Sequence, residues 1–151
     1  MQMGPIVSYT RLQDNGLTHA IHVFEDGQVV SEKLSGNLQY LYLTGKKEIP
    51  SKRARNLALN AIFSMTGYDG SANASNYEDL CSLSARVAQI GKSTQWWYAP
   101  VLNNHPKELA EVVSELEEMA GDIPLHLERM EGYVESPPGP LQQNKEVVEQ
   151  L

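Results

Sequence analysis

The run LTHAIHVFEDGQVVSEKL, residues 17–34, constrains this chain more than any other stretch. Asp26-Gly27 lies between two segments rich in β-branched and aromatic residues. That dipeptide supplies the two positive φ angles of a type I′ turn. The spacing predicts a two-residue hairpin with Glu25 opposite Gln28, Phe24 opposite Val29 and Val23 opposite Val30. Ile21, Val23 and Val30 then share one face, and Ala20, Phe24 and Val29 the other. Apolar residues on both faces predict a hairpin covered on both sides near its turn.

Strand signals flank the hairpin. PIVSYTRL ends at the turn signal QDNG, and NLQYLYLTG alternates Leu38, Tyr40 and Tyr42 against Leu41 and Leu43. The middle of the chain reads as helical. Ala54, Leu57, Ala58, Ala61, Ile62 and Met65 recur at helical spacing, and Gly67 is placed to close that helix. After the loop-like YDGSANAS, Ser75 and Glu78 form a capping-box pattern. Leu80, Leu83, Val87 and Ile90 then predict a second helical stripe that ends at Gly91. TQWWYAPVL reads as a short strand. NNHPKELAEVVSELEEMAGD gives the strongest helix, with Asn104 as cap and Pro106 in the first turn. Leu109, Val112, Val113, Leu116 and Met119 form its buried stripe, and Gly121 stops it. IPLHLERMEGYVE returns to alternation, with Leu125, Leu127 and Arg129 on one face.

This order predicts an α+β fold: an N-terminal antiparallel sheet, built as a meander or hairpin, packed with about three helices. A C-terminal β-α-β unit extends it. Residues 1–135 are expected to form one globular domain, with a Pro-rich tail at 136–151. PPGP is stiff and extended, and Val147, Val148 and Leu151 are expected to dock on the body or on a partner subunit.

Composition narrows the function classes. The 151 residues are 41% hydrophobic and 21% charged, which suits a globular protein with a sizeable core. The formal net charge is −7, so wholesale nucleic-acid binding is not expected. No apolar run is long enough to span a membrane, and the N-terminus lacks the pattern of a secretory signal. A cytoplasmic location is expected, and the sequon at 73–75 then reads as a surface loop. Cys81 is the lone cysteine, which excludes an internal disulfide or a multi-cysteine zinc site. The charge is uneven: Lys46, Lys47, Lys52, Arg53 and Arg55 cluster early, and nine acidic residues from Glu108 to Glu135 dominate later. Such asymmetry can orient a partner or a second copy of the chain.

Two motifs invite chemistry. GKST, residues 91–94, resembles the end of a phosphate-binding loop, but that pattern needs a glycine where Arg86 stands. It also needs a preceding strand and a following helix, whereas here the reading gives a helix and then a strand. Lys92 is better read as a cation beside the negative end of a helix closing at Gly91. QWWYAP is the second. Adjacent residues on a strand face opposite ways, so Trp96 and Trp97 part, and Tyr98 joins Trp96. Helices over both faces would bury both rings. One covered face would leave one ring to solvent, a groove or another subunit.

The other candidates are weaker. His19 and His22 are three apart, which on a strand sends them to opposite faces, so no metal site is expected. Cys81 reads as a small buried residue within a helix rather than a thiolate. Ser51, Lys52 and Arg53 at a helix start, with Arg55, offer a modest anion site. No cofactor is expected. The candidate ligand or interface residues are Trp96, Trp97, Tyr98, Lys52, Arg53, Arg55 and His22. The leading expectation is a small binding or interaction protein that forms a homo-oligomer and takes a small ligand or a protein partner. Two alternatives stand beside it. One is an enzyme using His19, His22 or His126 as acid or base on an anionic small molecule held by the 46–55 segment. The other is an inhibitor or immunity-type protein presenting its acidic helix to a basic target.

Overall fold

The computed structural model describes residues 4–12, 18–35, 40–74, 77, 79–87 and 92–131. Seven strands form one antiparallel sheet in the order β6-β5-β1-β2-β3-β4-β7. Strands β1 (Val7–Leu12), β2 (Thr18–Val23), β3 (Gln28–Ser35) and β4 (Tyr40–Glu48) make a meander. Helix α1 (Ser51–Met65) then carries the chain back across the sheet. The short helix α2 (Ser71–Ala74) precedes β5 (Leu80–Val87) and β6 (Lys92–Tyr98), which continue the sheet beyond β1. Helix α3 (Glu108–Gly121) returns the chain to the opposite edge, where β7 (His126–Glu131) pairs with β4. The α+β architecture read from the sequence is the architecture observed.

Cross-strand pairing assigns every strand residue to a face. Tyr9, Ile21, Ser31, Leu83 and Trp96 share one face, and Val7, Val23, Val29 and Ala85 lie beside them. Helices α1 and α3 pack here. Ala54, Leu57, Ala58, Ala61, Ile62 and Met65 from α1, with Leu109, Val112, Leu116 and Met119 from α3, join those strand residues in the main core. The apolar spacing of both helices anticipates these buried stripes. A Cβ at Gly45 would lie 2.5 Å from the Pro124 carbonyl oxygen, so glycine lets the α3–β7 connection cross close over β4.

The structure corrects the hairpin register. Val23 pairs with Val29, not Val30, and His22 with Val30. The Phe24 amide donates to the Gln28 carbonyl at 2.8 Å, which leaves residues 25–27 as a three-residue loop. Gly27 takes φ +95°, the left-handed position of a type I turn with a G1 bulge. The Ile49 amide donates to the Gly27 carbonyl at 2.8 Å and locks that loop to the chain after β4. A one-residue slip turns a strand over. Val29 therefore joins the core, and Val30 moves to the other face.

A second correction concerns residues 80–90. The expected helix is strand β5, with Cys81, Leu83, Ala85 and Val87 directed into the core. The sequence there alternates apolar and polar residues as well as offering a helical stripe. Pairing with β1 on one side and β6 on the other favours the strand. The third helix is accordingly the short α2, and the Ser75–Glu78 capping pattern lies outside the described residues. Cys81 stands in a strand, fully buried. Lys92 opens β6 rather than facing a helix end. The β4–β7 register shifts between Tyr42 and Leu43 of β4, so Leu127 stands opposite Leu43 and Arg129 opposite Tyr42. That bulge breaks the register on which the expected sharing of one face by Leu125, Leu127 and Arg129 rests. The tail at 136–151 lies outside the described residues.

Both sheet edges carry protection. At β6 the Ser71 hydroxyl accepts from the Trp97 amide at 3.0 Å, and the Tyr68 hydroxyl donates to the Trp97 carbonyl at 2.9 Å. At β7 the bulge combines with the exposed His126 and Glu128, an irregular and charged edge that discourages strand addition.

Candidate functional site on the sheet face away from the long helices

The face turned away from α1 and α3 carries Ser8, Thr10, Ala20, His22, Val30, Glu32, Leu34, Tyr42, Ser82, Ser84 and Trp97 by register. Ala20, Leu34 and Tyr42 form a small apolar cluster separate from the main core. Beside it runs a chain of polar side chains that crosses four strands. Ser8 Oγ lies 2.8 Å from Nδ1 of His22, its register partner on β2. His22 Nε2 faces Glu32 Oε2 on β3 at 3.6 Å, the separation of an ion pair rather than of a hydrogen bond. The Tyr42 hydroxyl on β4 donates to Glu32 Oε1 at 2.9 Å.

Burial is graded along this chain. The Glu32 side chain is 7% exposed and His22 is 23% exposed. A carboxylate so enclosed requires partners, and the phenol and imidazole supply them. Glu32 in turn holds the Tyr42 phenol protonated: burial, and then the nearby carboxylate, push its pKa upward. With an Nε2 proton turned toward Glu32, Nδ1 offers its lone pair to the Ser8 hydroxyl. The arrangement can therefore accept a proton from a hydroxyl, bind a polar ligand through His22, or carry a positive charge on the imidazole beside a fixed carboxylate.

The residues singled out in the sequence are dispersed. His22 lies at the centre of this face. Trp97 lies on the same face, half-buried, while Trp96 and Tyr98 are buried in the core. Tyr98 lies against the His105 ring at a centroid distance of 5.0 Å. Its pKa is driven upward by burial and by Tyr9 and Cys81 beside it. Cys81 is likewise held as a thiol by burial. Lys52, Arg53 and Arg55 are exposed at the start of α1, on the opposite side of the sheet from His22. Arg53 Nε donates to Glu115 Oε1 of α3 at 3.3 Å, so part of the basic segment is matched by the acidic helix of the same chain.

The histidines do not converge. His19 lies on the helix side within 3.2 Å of Ser31 Oγ, and burial and then Lys33 lower its pKa. His126 lies on β7 beside Glu128. Of the basic segment, Lys46 alone shares a register row with His22, through Val30. No group of three or more His, Cys, Asp or Glu placed to hold a metal occurs among the described residues. Sequence reasoning missed Ser8, Glu32 and Tyr42. The signal was the hairpin loop length, which decides on which face Glu32 falls.

Architecture and site together define a two-layer α+β protein, one antiparallel sheet beneath two long helices, with a polar array on the sheet face turned away from those helices. No known family model matches the chain, and neither a curated protein nor a solved structure is detectably similar to it.

Proposed function

We propose that this chain is a small binding and interaction protein that self-associates and holds its ligand or partner around His22, on the sheet face turned away from α1 and α3. The observation that carries the reading is the Ser8–His22–Glu32–Tyr42 chain, a polar network on the face that neither long helix covers. Such networks are costly unless satisfied. The protection at β6 and β7 supports the use of a face rather than an edge. Lys46, two strands from His22 in the same register row, favours a ligand with an anionic group. A thermal-shift screen of small carboxylates and phosphates, repeated on His22→Ala and Ser8→Ala, tests this. Hits lost in both variants support it; hits indifferent to both, or no hits, sink it.

A second reading follows from the order hydroxyl, imidazole, carboxylate. His22 would act as general base toward Ser8, with Glu32 orienting the ring. The imidazole edges are reversed relative to the serine-protease arrangement, since here the hydroxyl meets Nδ1. Labelling of Ser8 by a fluorophosphonate probe, absent in His22→Ala, supports this reading. No label on Ser8 removes it.

A further inference from the structure

We infer that the outer surface of the helix layer is a homodimer interface in which α1 of each protomer packs on α3 of the other. This rests on the self-association proposed above and adds its surface and register. Helices α1 and α3 lie antiparallel. Arg53, near the start of α1, reaches Glu115 in the second half of α3 at 3.3 Å. Asn60, Phe63 and Ser64, near the end of α1, share a groove of about 340 Å³ with Glu108, Glu111 and Val112, near the start of α3. Phe63 is 66% exposed at that groove.

The charges on the two helices are fully segregated. Helix α1 carries Lys52, Arg53 and Arg55 and no acidic residue. Helix α3 carries Glu108, Glu111, Glu115, Glu117 and Glu118 and no basic residue. One surface is thus half cationic and half anionic, with an apolar ring near its middle. A two-fold axis running along the groove lays each α1 over the partner's α3. Because the helices are antiparallel, Lys52 and Arg55 then fall over the half of α3 that bears Glu117 and Glu118. The same operation brings the two Phe63 rings together near the axis. This is the self-complementarity that an isologous contact requires.

Size sets the strength. Helices of 15 and 14 residues are about 22 Å long and about 10 Å wide, so the pair offers a footprint of about 450 Å². The two protomers together bury about 900 Å², the size of a weak, transient interface, and the charge pairing is screened by salt. The dimer is therefore weak, in the micromolar range, and salt-sensitive.

Light scattering over a micromolar dilution series, at low and high salt, tests the inference on the full chain. The wild type is expected to dimerise at low salt and to dissociate as salt rises. Phe63→Glu, the pair Lys52→Glu/Arg55→Glu, and the pair Glu117→Lys/Glu118→Lys are each expected to weaken the dimer at least about tenfold. All five positions are exposed, and thermal melts by circular dichroism identify any variant that fails to fold. The decisive sample is an equimolar mixture of the two charge-reversed chains, which is expected to re-form a dimer that neither forms alone. A mixture that stays monomeric, or a wild-type dimer indifferent to all three variants, overturns the α1-on-α3 register and leaves self-association standing. A wild type that is monomeric throughout overturns both.

Discussion

His22 stands directly across the β1–β2 ladder from Ser8, its Nδ1 2.8 Å from the Ser8 hydroxyl, while its other nitrogen faces the enclosed carboxylate of Glu32. A single imidazole thus joins three strands through side chains as well as through the sheet.

Removing that imidazole strips a partner from a carboxylate only 7% exposed. His22→Ala is expected to cost about 1–3 kcal/mol of folding free energy, the range for an under-satisfied buried polar group. Tyr42→Phe, which deletes a hydrogen bond to the same carboxylate, is expected to fall in a similar range of about 1.5–3 kcal/mol. Urea denaturation measures both. Losses below the error of the fit would show that the network contributes nothing to stability.

Gly27 gives a sharper test of the loop. Its φ is +95°, and a Cβ there would overlap the Ile49 carbonyl. Gly27→Ala combines a strained backbone with a backbone clash, and is expected to cost more than about 2 kcal/mol. A near-neutral urea midpoint would mean that the hairpin loop is not held against Ile49 as described.

Alkaline stability follows from three phenols. Burial first, then neighbouring thiol, phenol or carboxylate groups, raise the pKa of Tyr9, Tyr42 and Tyr98 above the ordinary value of 10.0. A group whose folded pKa is raised contributes stability that is present below its unfolded pKa and lost as pH climbs above it. The melting temperature is therefore expected to hold up to about pH 10 and to fall beyond it. Tyrosinate absorbance should rise in two stages, with Tyr9, Tyr42 and Tyr98 ionising only as the fold opens. One smooth titration with no coupled unfolding would contradict this.

The two tryptophans should be separable. Trp96 is 8% exposed in the core, and Trp97 is half-buried on the other face. Acrylamide is expected to quench a redder component that Trp97→Phe removes and Trp96→Phe retains. Equal quenching in both variants would place the two rings in equivalent surroundings.

Cys81 is fully buried and held as a thiol. A disulfide reagent near neutral pH is expected to react with it only after denaturant is added. Fast reaction in native buffer would show β5 to be open to solvent.

Much of this fold was legible because local signals agreed with tertiary need. The stripes of α1 and α3, the strand character of β1, β2 and β4 and the parting of Trp96 from Trp97 all follow from spacing alone. Residues 80–90 misled because two periods coexist there. Leu80, Leu83 and Val87 suit a helix, while Cys81, Leu83, Ala85 and Val87 suit a strand, and the partner strands that decide between them lie far off in sequence. The site was hidden by one residue of register. With a two-residue loop, Glu32 falls on the core face and has no evident relation to His22. The three-residue loop sets Glu32 diagonal to His22, and the network becomes readable.

The position of β5 shapes how the chain is made. β1 is an interior strand, flanked by β2 and β5, yet β5 begins only at Leu80. A ribosome adding about 5–20 residues per second leaves one side of β1 unpaired for several seconds while the meander and α1 emerge. During that interval Val7 and Tyr9 border an open hydrogen-bonding edge, the kind of surface that chaperones retain and that pairs wrongly between chains.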